Sequence, residues 1–434
     1  MSSAAPEQQV QRQVVWAACF GTFLEWYDFL IFASLAVFFG QLFFPLEDAV
    51  AGLLASLATF GVGMLVRPLG AAIFGSLGDR IGRRKTFLAT ILLMGVSTLL
   101  MGCLPTYAQA GLWAPVGLLS LRLLQGLAVG GEVGGAAVYL TEHAPTGRRG
   151  RYTSVLQLMG PLGVLASGLQ VLALQTFLTP DDFLAWGWRI PFGVSAALLA
   201  VSLRFRLQLH ESPIFEALQA EQAVAKTPLR ECWSDPKTRF RMFLLFACLS
   251  SGGSLLFFSS QVYAGVFLRT MPGVSPTSTG AVLTLITLCL LPMTVLAGAV
   301  SDRLGRRPVL LTGLCLGAVL MGPVFYGIQQ VGGAPLPTFG FLLMLALALA
   351  CITGPQTATL AELFPARTRY SAVALPHNLA AGWIGGLSPL VVTWLGAHYG
   401  TPLAGLAYVS GMLSIAAYLG WRYLPEVKDV DLRA

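Results

Sequence analysis

Twelve apolar runs set the limits on what this chain can fold into. They lie at 14–43, 51–77, 86–104, 112–141, 152–178, 186–207, 240–268, 277–300, 309–330, 338–361, 371–397 and 402–424. Each is long enough to cross roughly 30 Å of hydrocarbon as an α-helix. Inside a bilayer the backbone must satisfy its own hydrogen bonds, and helices do so within one segment. Composition agrees, with 55% hydrophobic and only 11% charged residues, against about 25% charged in soluble domains. The 48 glycines suit helices whose backbones approach closely in lipid. The expected fold class is therefore an all-α membrane protein with twelve transmembrane helices. The first run lacks a small-residue cleavage site and exceeds a signal-peptide core, so it is expected to stay as a helix.

Arginine and lysine orient the chain. With a cytoplasmic N-terminus, only Arg67, Arg122, Arg189 and Arg269 of the 27 Lys and Arg fall outside the tails, loops and central segment on that side. The bias predicts that both termini are cytoplasmic. It also accounts for the net charge of +7, which then requires no nucleic acid. The seven cysteines are odd in number and show no metal-ligand spacing, so free apolar thiols are expected, with no metal and no cofactor. The GxG patterns sit in apolar runs without strand context, and HExxH and GxSxG are absent, which points away from an enzyme.

The chain repeats itself. GSLGDRIGRRK (75–85) recurs as GAVSDRLGRRP (298–308), which separates Asp79 from Asp302 by 223 positions. EHAPTGRRGRY starts at Glu142 and ELFPARTRY at Glu362, 220 positions later. Two landmarks with nearly equal displacement indicate duplication. The expected domains are an N-terminal six-helix bundle (1–207), a cytoplasmic central linker (208–239) and a C-terminal six-helix bundle (240–434). Parallel halves of this kind are expected to hold a substrate near the midplane.

Several of these stretches carry a family resemblance. The GxLxDRxGRR loop resembles the signature loop of the major facilitator superfamily, and RLLQG (122–126) resembles its fourth-helix motif. FLEWYDF (23–29), RPLGAAIFGSLGDRIGRRK (67–85), RLLQGLAVGGEVGGAAVYLTE (122–142), WGWRIPF (186–192) and ESPIF (211–215) resemble the metabolite:H+ symporter family, most closely its citrate and tricarballylate proton symporters. The resemblance implies two pseudo-symmetric bundles, alternating access, proton-coupled uptake and a monomer in a bacterial inner membrane. It also implies that the repeated loops help set the inward-closed state. The gating candidates are Asp79, Arg83, Glu142 and Arg148, with Asp302, Arg306 and Glu362 in the second half. As basic loop residues, the arginines also serve as topology determinants.

Two carboxylates interrupt the first run. Glu25 lies about 16 Å along a helix starting near Val14, and Asp28 about 4–5 Å further. At this i, i+3 spacing they share a face. A charge at that depth is costly, so such residues face the bundle interior and carry function. Low dielectric and a nearby like charge favour the neutral form of a carboxylic acid, which suits a group that loads and unloads a proton. The alternative is a permanent ion pair to the fourth helix. That helix supplies Arg122 and Glu132. Arg122 keeps its charge and needs an anion. A carboxylate of the first helix or Glu132 would neutralise it until protonated, and a substrate carboxylate would then take its place. The resemblance ties Arg122 to proton transfer. Glu132, within VGGEVGG, stands between coupling and a packing role. Arg67 precedes Pro68 and can snorkel; gating or packing is preferred, with substrate contact as the alternative.

The candidate substrate contacts are Tyr27, Arg67 and Arg122 in the first half and Gln261, Tyr263, Gln356, His377 and Asn378 in the second, with Ser259, Ser260, Phe257 and Trp383 nearby. Relatives often carry Tyr-Asn where this chain has His377-Asn378, and an imidazole can bond or titrate with a carboxylate. The expected function is proton-coupled uptake of a small organic anion, a di- or tricarboxylate such as citrate. The alternatives are uptake of a zwitterion such as a betaine, an antiporter suggested by GPLG (160–163), and a transporter-like sensor. The chain runs only ten residues past the last apolar run, without the long coiled coil expected of osmosensing betaine transporters.

Overall fold

The computed structural model describes residues 4–44, 49–208 and 211–432, and all their regular structure is helical. Twelve helices among the described residues are long and apolar enough to cross a membrane. In chain order they are α1 (Ala4–Phe43), α2 (Ala49–Ile81), α3 (Arg83–Cys103), α4 (Trp113–His143), α5 (Arg149–Phe177), α6 (Gly187–Leu207), α7 (Pro236–Thr270), α8 (Pro276–Leu304), α9 (Arg306–Gln330), α10 (Pro335–Glu362), α11 (Ala366–Tyr399) and α12 (Pro402–Tyr423).

Local sequence explains where several helices begin. Thr179, Ser212, Asp235 and Ser275 each accept a backbone N–H of the first turn, and a proline follows each of them. This pairing of a polar N-cap with proline at the first helical position satisfies an orphan donor and presets φ. Asp235 therefore starts α7 at Pro236, four residues before the apolar run at 240. Bonds from Thr238 hold the Asp235 carboxyl below the usual carboxylate range. The central segment before it contains two short helices, Pro213–Ala220 and Pro228–Ser234.

The chain forms two compact units. The first comprises Met1–His143 with Met159–Leu229, and the second Ala144–Leu158 with Arg230–Ala434. The opening turns of α5 thus pack with the second unit. In the first unit, α2 and α4 touch backbone to backbone. A Cβ at Gly126 would strike the carbonyl of Gly63, one at Gly130 that of Arg67, and one at Gly70 that of Leu127. The second unit repeats this device where Gly354 of α10 meets Gly298 of α8. An aromatic cluster of Phe39, Phe43, Trp188 and Phe192 joins α1 to α6.

Among the described residues, two helices contain π-helical segments. α7 contains π-helical segments at Leu245–Ser250 and Phe258–Tyr263, and α11 contains one at Ala380–Gly385. Such segments are rare and gather at functional sites.

Candidate functional site

Among the described residues of the first unit, six charged side chains outside the repeated loop are buried in the helices: Glu25, Asp28, Arg67, Arg122, Glu132 and Arg206. Glu25 on α1 pairs with Arg67 on α2 at 3.9 Å. Asp28, one turn on, has no basic partner among the described ion pairs, and the hydroxyls of Ser195 on α6 and Thr98 on α3 are its polar neighbours. Arg122 lies over two rings of α1, 4.6 Å from the centroid of Phe29 and 4.3 Å from that of Phe32. Its guanidinium donates to Gln125, whose amide in turn donates to Thr98 (2.9 Å) and to the backbone carbonyl of Asp28 (3.4 Å). Gln125 thus joins the arginine of α4 to the acidic turn of α1. Sequence reasoning missed it, although its place three residues after Arg122 put both on one face.

Glu132 does not serve Arg122. It accepts from the guanidinium of Arg206, at the end of α6, and from the Thr90 hydroxyl at 2.8 Å. Arg206 also donates to the carbonyl of Phe87 (2.7 Å) and lies over its ring. The reason is reach and room. Arg206 is fully buried, and a Cβ at Gly21 would overlap its guanidinium. The arginine, counted with the central segment as a topology residue, instead extends inward to neutralise Glu132. Arg67 likewise stays buried instead of snorkelling. Tyr27 donates to Gln170 on α5 and to the carbonyl of Pro191 (3.3 Å), tying α1 to α5 and α6.

The second unit has hydroxyl, amide and imidazole groups buried in its helices. His377 and Ser250 bond through Nδ1 and Oγ at 2.9 Å. Gln356 donates to the carbonyl of Leu249 (3.4 Å) and Asn378 to that of Ala374 (2.8 Å). Gln261, half-buried, accepts from Thr287 (3.2 Å). Tyr263 packs on Phe267 and Phe325. Ser250, Gln261 and Tyr263 lie within the π segments of α7, and His377 and Asn378 just precede that of α11. Trp383 is about half-exposed.

The repeated loops form two matching ion-pair networks. Arg83 meets Asp79 at 3.4 Å and Glu142 at 3.7 Å, with its guanidinium over Phe215. Arg306 meets Asp302 at 2.7 Å and Glu362 at 3.0 Å. Before each arginine stands a glycine at positive φ, +115° for Gly82 and +105° for Gly305, a conformation that disfavours other residues. A second carboxylate then caps the helix that starts there. Glu211 accepts the N–H groups of Arg83 (3.0 Å) and Arg84 (3.2 Å), and Glu426 those of Arg306 (2.8 Å) and Arg307 (3.0 Å). Sequence reasoning passed over both glutamates; the shared signal was an acid shortly after the sixth and the twelfth runs. Arg148 is a further correction. It is exposed, and its neighbour Arg149 is the buried residue, 3.6 Å from Glu362 and bonded to the carbonyl of Val430. The helix that opens at Arg149 directs that side chain inward and its N–H groups at Asp302, which accepts from Gly150 and Arg151 at 2.8 Å each.

The chain is similar to known proteins in sequence and in fold. The profile of the family described as "Sugar (and other) transporter" matches residues 14–238 and 213–433. The inner membrane metabolite transport protein YhjE of Escherichia coli K12 is 37% identical, over 94% of each chain. A proline/betaine transporter of Salmonella typhimurium LT2 is 35% identical over 88% of this chain and 77% of its own. The alpha-ketoglutarate permease of E. coli K12 is 32% identical over 94% of this chain and 93% of its own. Among solved structures, the major facilitator superfamily proton:xylose symporter XylE superposes with a TM-score of 0.81 over 98% of each chain, at 19% identity. That likeness concerns the fold.

Proposed function

The chain belongs to the sugar (and other) transporter family, and from that premise we propose that it imports a small organic anion, a di- or tricarboxylate of the citrate or alpha-ketoglutarate kind, together with a proton. It is a multi-pass bacterial inner-membrane transporter of metabolites with the major facilitator fold, and not an enzyme.

One observation carries the proposal. Asp28 is buried in α1, has no basic partner among the described ion pairs, and is linked by Gln125 to Arg122. A lone carboxylate in hydrocarbon is expensive, and a bound proton removes the charge. Glu25 and Glu132 already have arginines beside them, which leaves Asp28 as the proton carrier. Arg122 offers a planar guanidinium that matches a carboxylate. In this reading the loaded Asp28 and an arginine-bound substrate cross together by alternating access. The Arg83 and Arg306 networks hold one state closed, and the protein works as a monomer. The alpha-ketoglutarate permease supports a carboxylate substrate.

A zwitterion is the second reading, favoured by the identity to a proline/betaine transporter. A betaine also presents one carboxylate to Arg122. Uptake of labelled citrate and alpha-ketoglutarate into proteoliposomes separates the two. Gradient-driven uptake, competed by succinate and not by betaine, is the expected result. Uptake of betaine alone would replace the substrate and keep the coupling. Uptake indifferent to the proton gradient would overturn the coupling.

A further inference from the structure

Between α7 and α11 of the second unit lies a cavity of about 470 Å³ that the transport mechanism does not use. Its size falls within the 300–1,000 Å³ typical of small-molecule sites. Phe243 and Phe246 of α7 and Leu379 and Trp383 of α11 form its walls, and Trp233 and Arg239 line its linker end. Phe243 and Trp383 are 49% and 48% exposed, although both belong to membrane-spanning segments. Lipid is the solvent that meets such rings.

The linker end is basic. Arg239 is exposed and donates to the carbonyl of Trp233 at 3.3 Å. Arg230, Lys237 and Arg241 stand within a few residues of it in sequence. The acids of this segment are engaged. Asp235 accepts from the backbone N–H groups of Lys237 and Thr238 and from the Thr238 hydroxyl, and Glu231 pairs with Arg367 at 2.8 Å. A transported di- or tricarboxylate would find one cation here and otherwise apolar walls. A molecule with one anionic head and a hydrocarbon chain matches both parts.

We propose that this groove binds an anionic phospholipid, with its phosphate on Arg239 and an acyl chain along Phe243, Phe246, Leu379 and Trp383. The positive-inside bias makes the leaflet concerned the cytoplasmic one, and basic pockets between helices on that side suit anionic head groups. The bound lipid touches two π-helical segments, through Phe246 on α7 and Trp383 on α11.

The test is native mass spectrometry of the full chain, released from micelles doped with phosphatidylglycerol or phosphatidylcholine of identical acyl chains. Wild type should retain phosphatidylglycerol about fivefold better, the factor that one basic side chain supplies near an anionic surface. Arg239→Gln should bring the two lipids to parity, and Arg239→Lys should keep most of the preference. Phe246→Trp, which narrows the groove, should weaken both lipids. Equal retention of the two lipids by wild type would overturn the proposal. So would undiminished phosphatidylglycerol on Arg239→Gln, or its displacement by inorganic phosphate. Because the readout is lipid binding, its failure leaves the transport reading untouched.

Discussion

In the first unit Asp79, Arg83 and Glu142 make the triangle that Asp302, Arg306 and Glu362 make in the second, and Glu211 and Glu426 cap the following helices in the same way. Away from these loops the units part company. The first holds Glu25, Asp28, Arg67, Arg122, Glu132 and Arg206. The second holds hydroxyl, amide and imidazole groups around Ser250, Gln356, His377 and Asn378. Duplication kept the loop machinery in both copies, while charge concentrated in one. If Asp28 carries the proton, as proposed above, proton handling falls to the first unit, a division of labour between the two copies.

The strongest way to break that division is Asp28→Asn. Accumulation against a gradient should vanish while exchange across the bilayer persists, as measured with labelled substrate in proteoliposomes. Wild-type uptake should also rise as external pH falls at fixed internal pH, and the variant should lose this dependence. Concentrative uptake by Asp28→Asn would return Asp28 to a structural role. Next in size is Arg122→Lys. Losing planar recognition of a charged partner should weaken substrate binding by about 10–100-fold; an unchanged affinity would remove Arg122 from the site.

The loops sharpen the comparison further. Arg306→Ala removes the closest cation from both Asp302 and Glu362, and removing one partner of a buried pair costs about 3–5 kcal/mol. Arg83→Ala should cost less, because its contacts are longer at 3.4 and 3.7 Å, against 2.7 and 3.0 Å for Arg306. Thermal unfolding in detergent ranks the two, and the reverse order would contradict the geometry. Smallest of all, Glu211→Gln and Glu426→Gln should each lose about 0.3–1 kcal/mol of interaction with a helix N-terminus. Similar losses would extend the repeat to its caps.

The fold was readable because hydrocarbon leaves few options. Run length and two repeated loops each constrained it, and every run corresponds to an observed helix. Individual roles in the site were harder to read. Periodicity placed Glu25 and Asp28 on one face, yet only packing shows that Arg67 reaches the first and no described arginine pairs with the second. Arg206 read as a cytoplasmic charge because a long side chain near a helix end can point either way. Arg148 and Arg149 differ by one position, and the start of α5 decides which is buried. The π segments left no sequence signature, since they depend on how α7 and α11 meet their neighbours.

Those π segments bear on how the gene can change. Each accommodates one residue more than an α-helical ladder would use over the same stretch. Removing a residue from an ordinary membrane helix turns everything beyond it by about 100°, which is ruinous when one face carries the function. Within Leu245–Ser250, Phe258–Tyr263 or Ala380–Gly385 the same deletion can be absorbed by closing the wide turn. In a library of single-codon deletions, α7 and α11 should therefore hold the survivors, while the glycine-packed α2 and α4 should yield none.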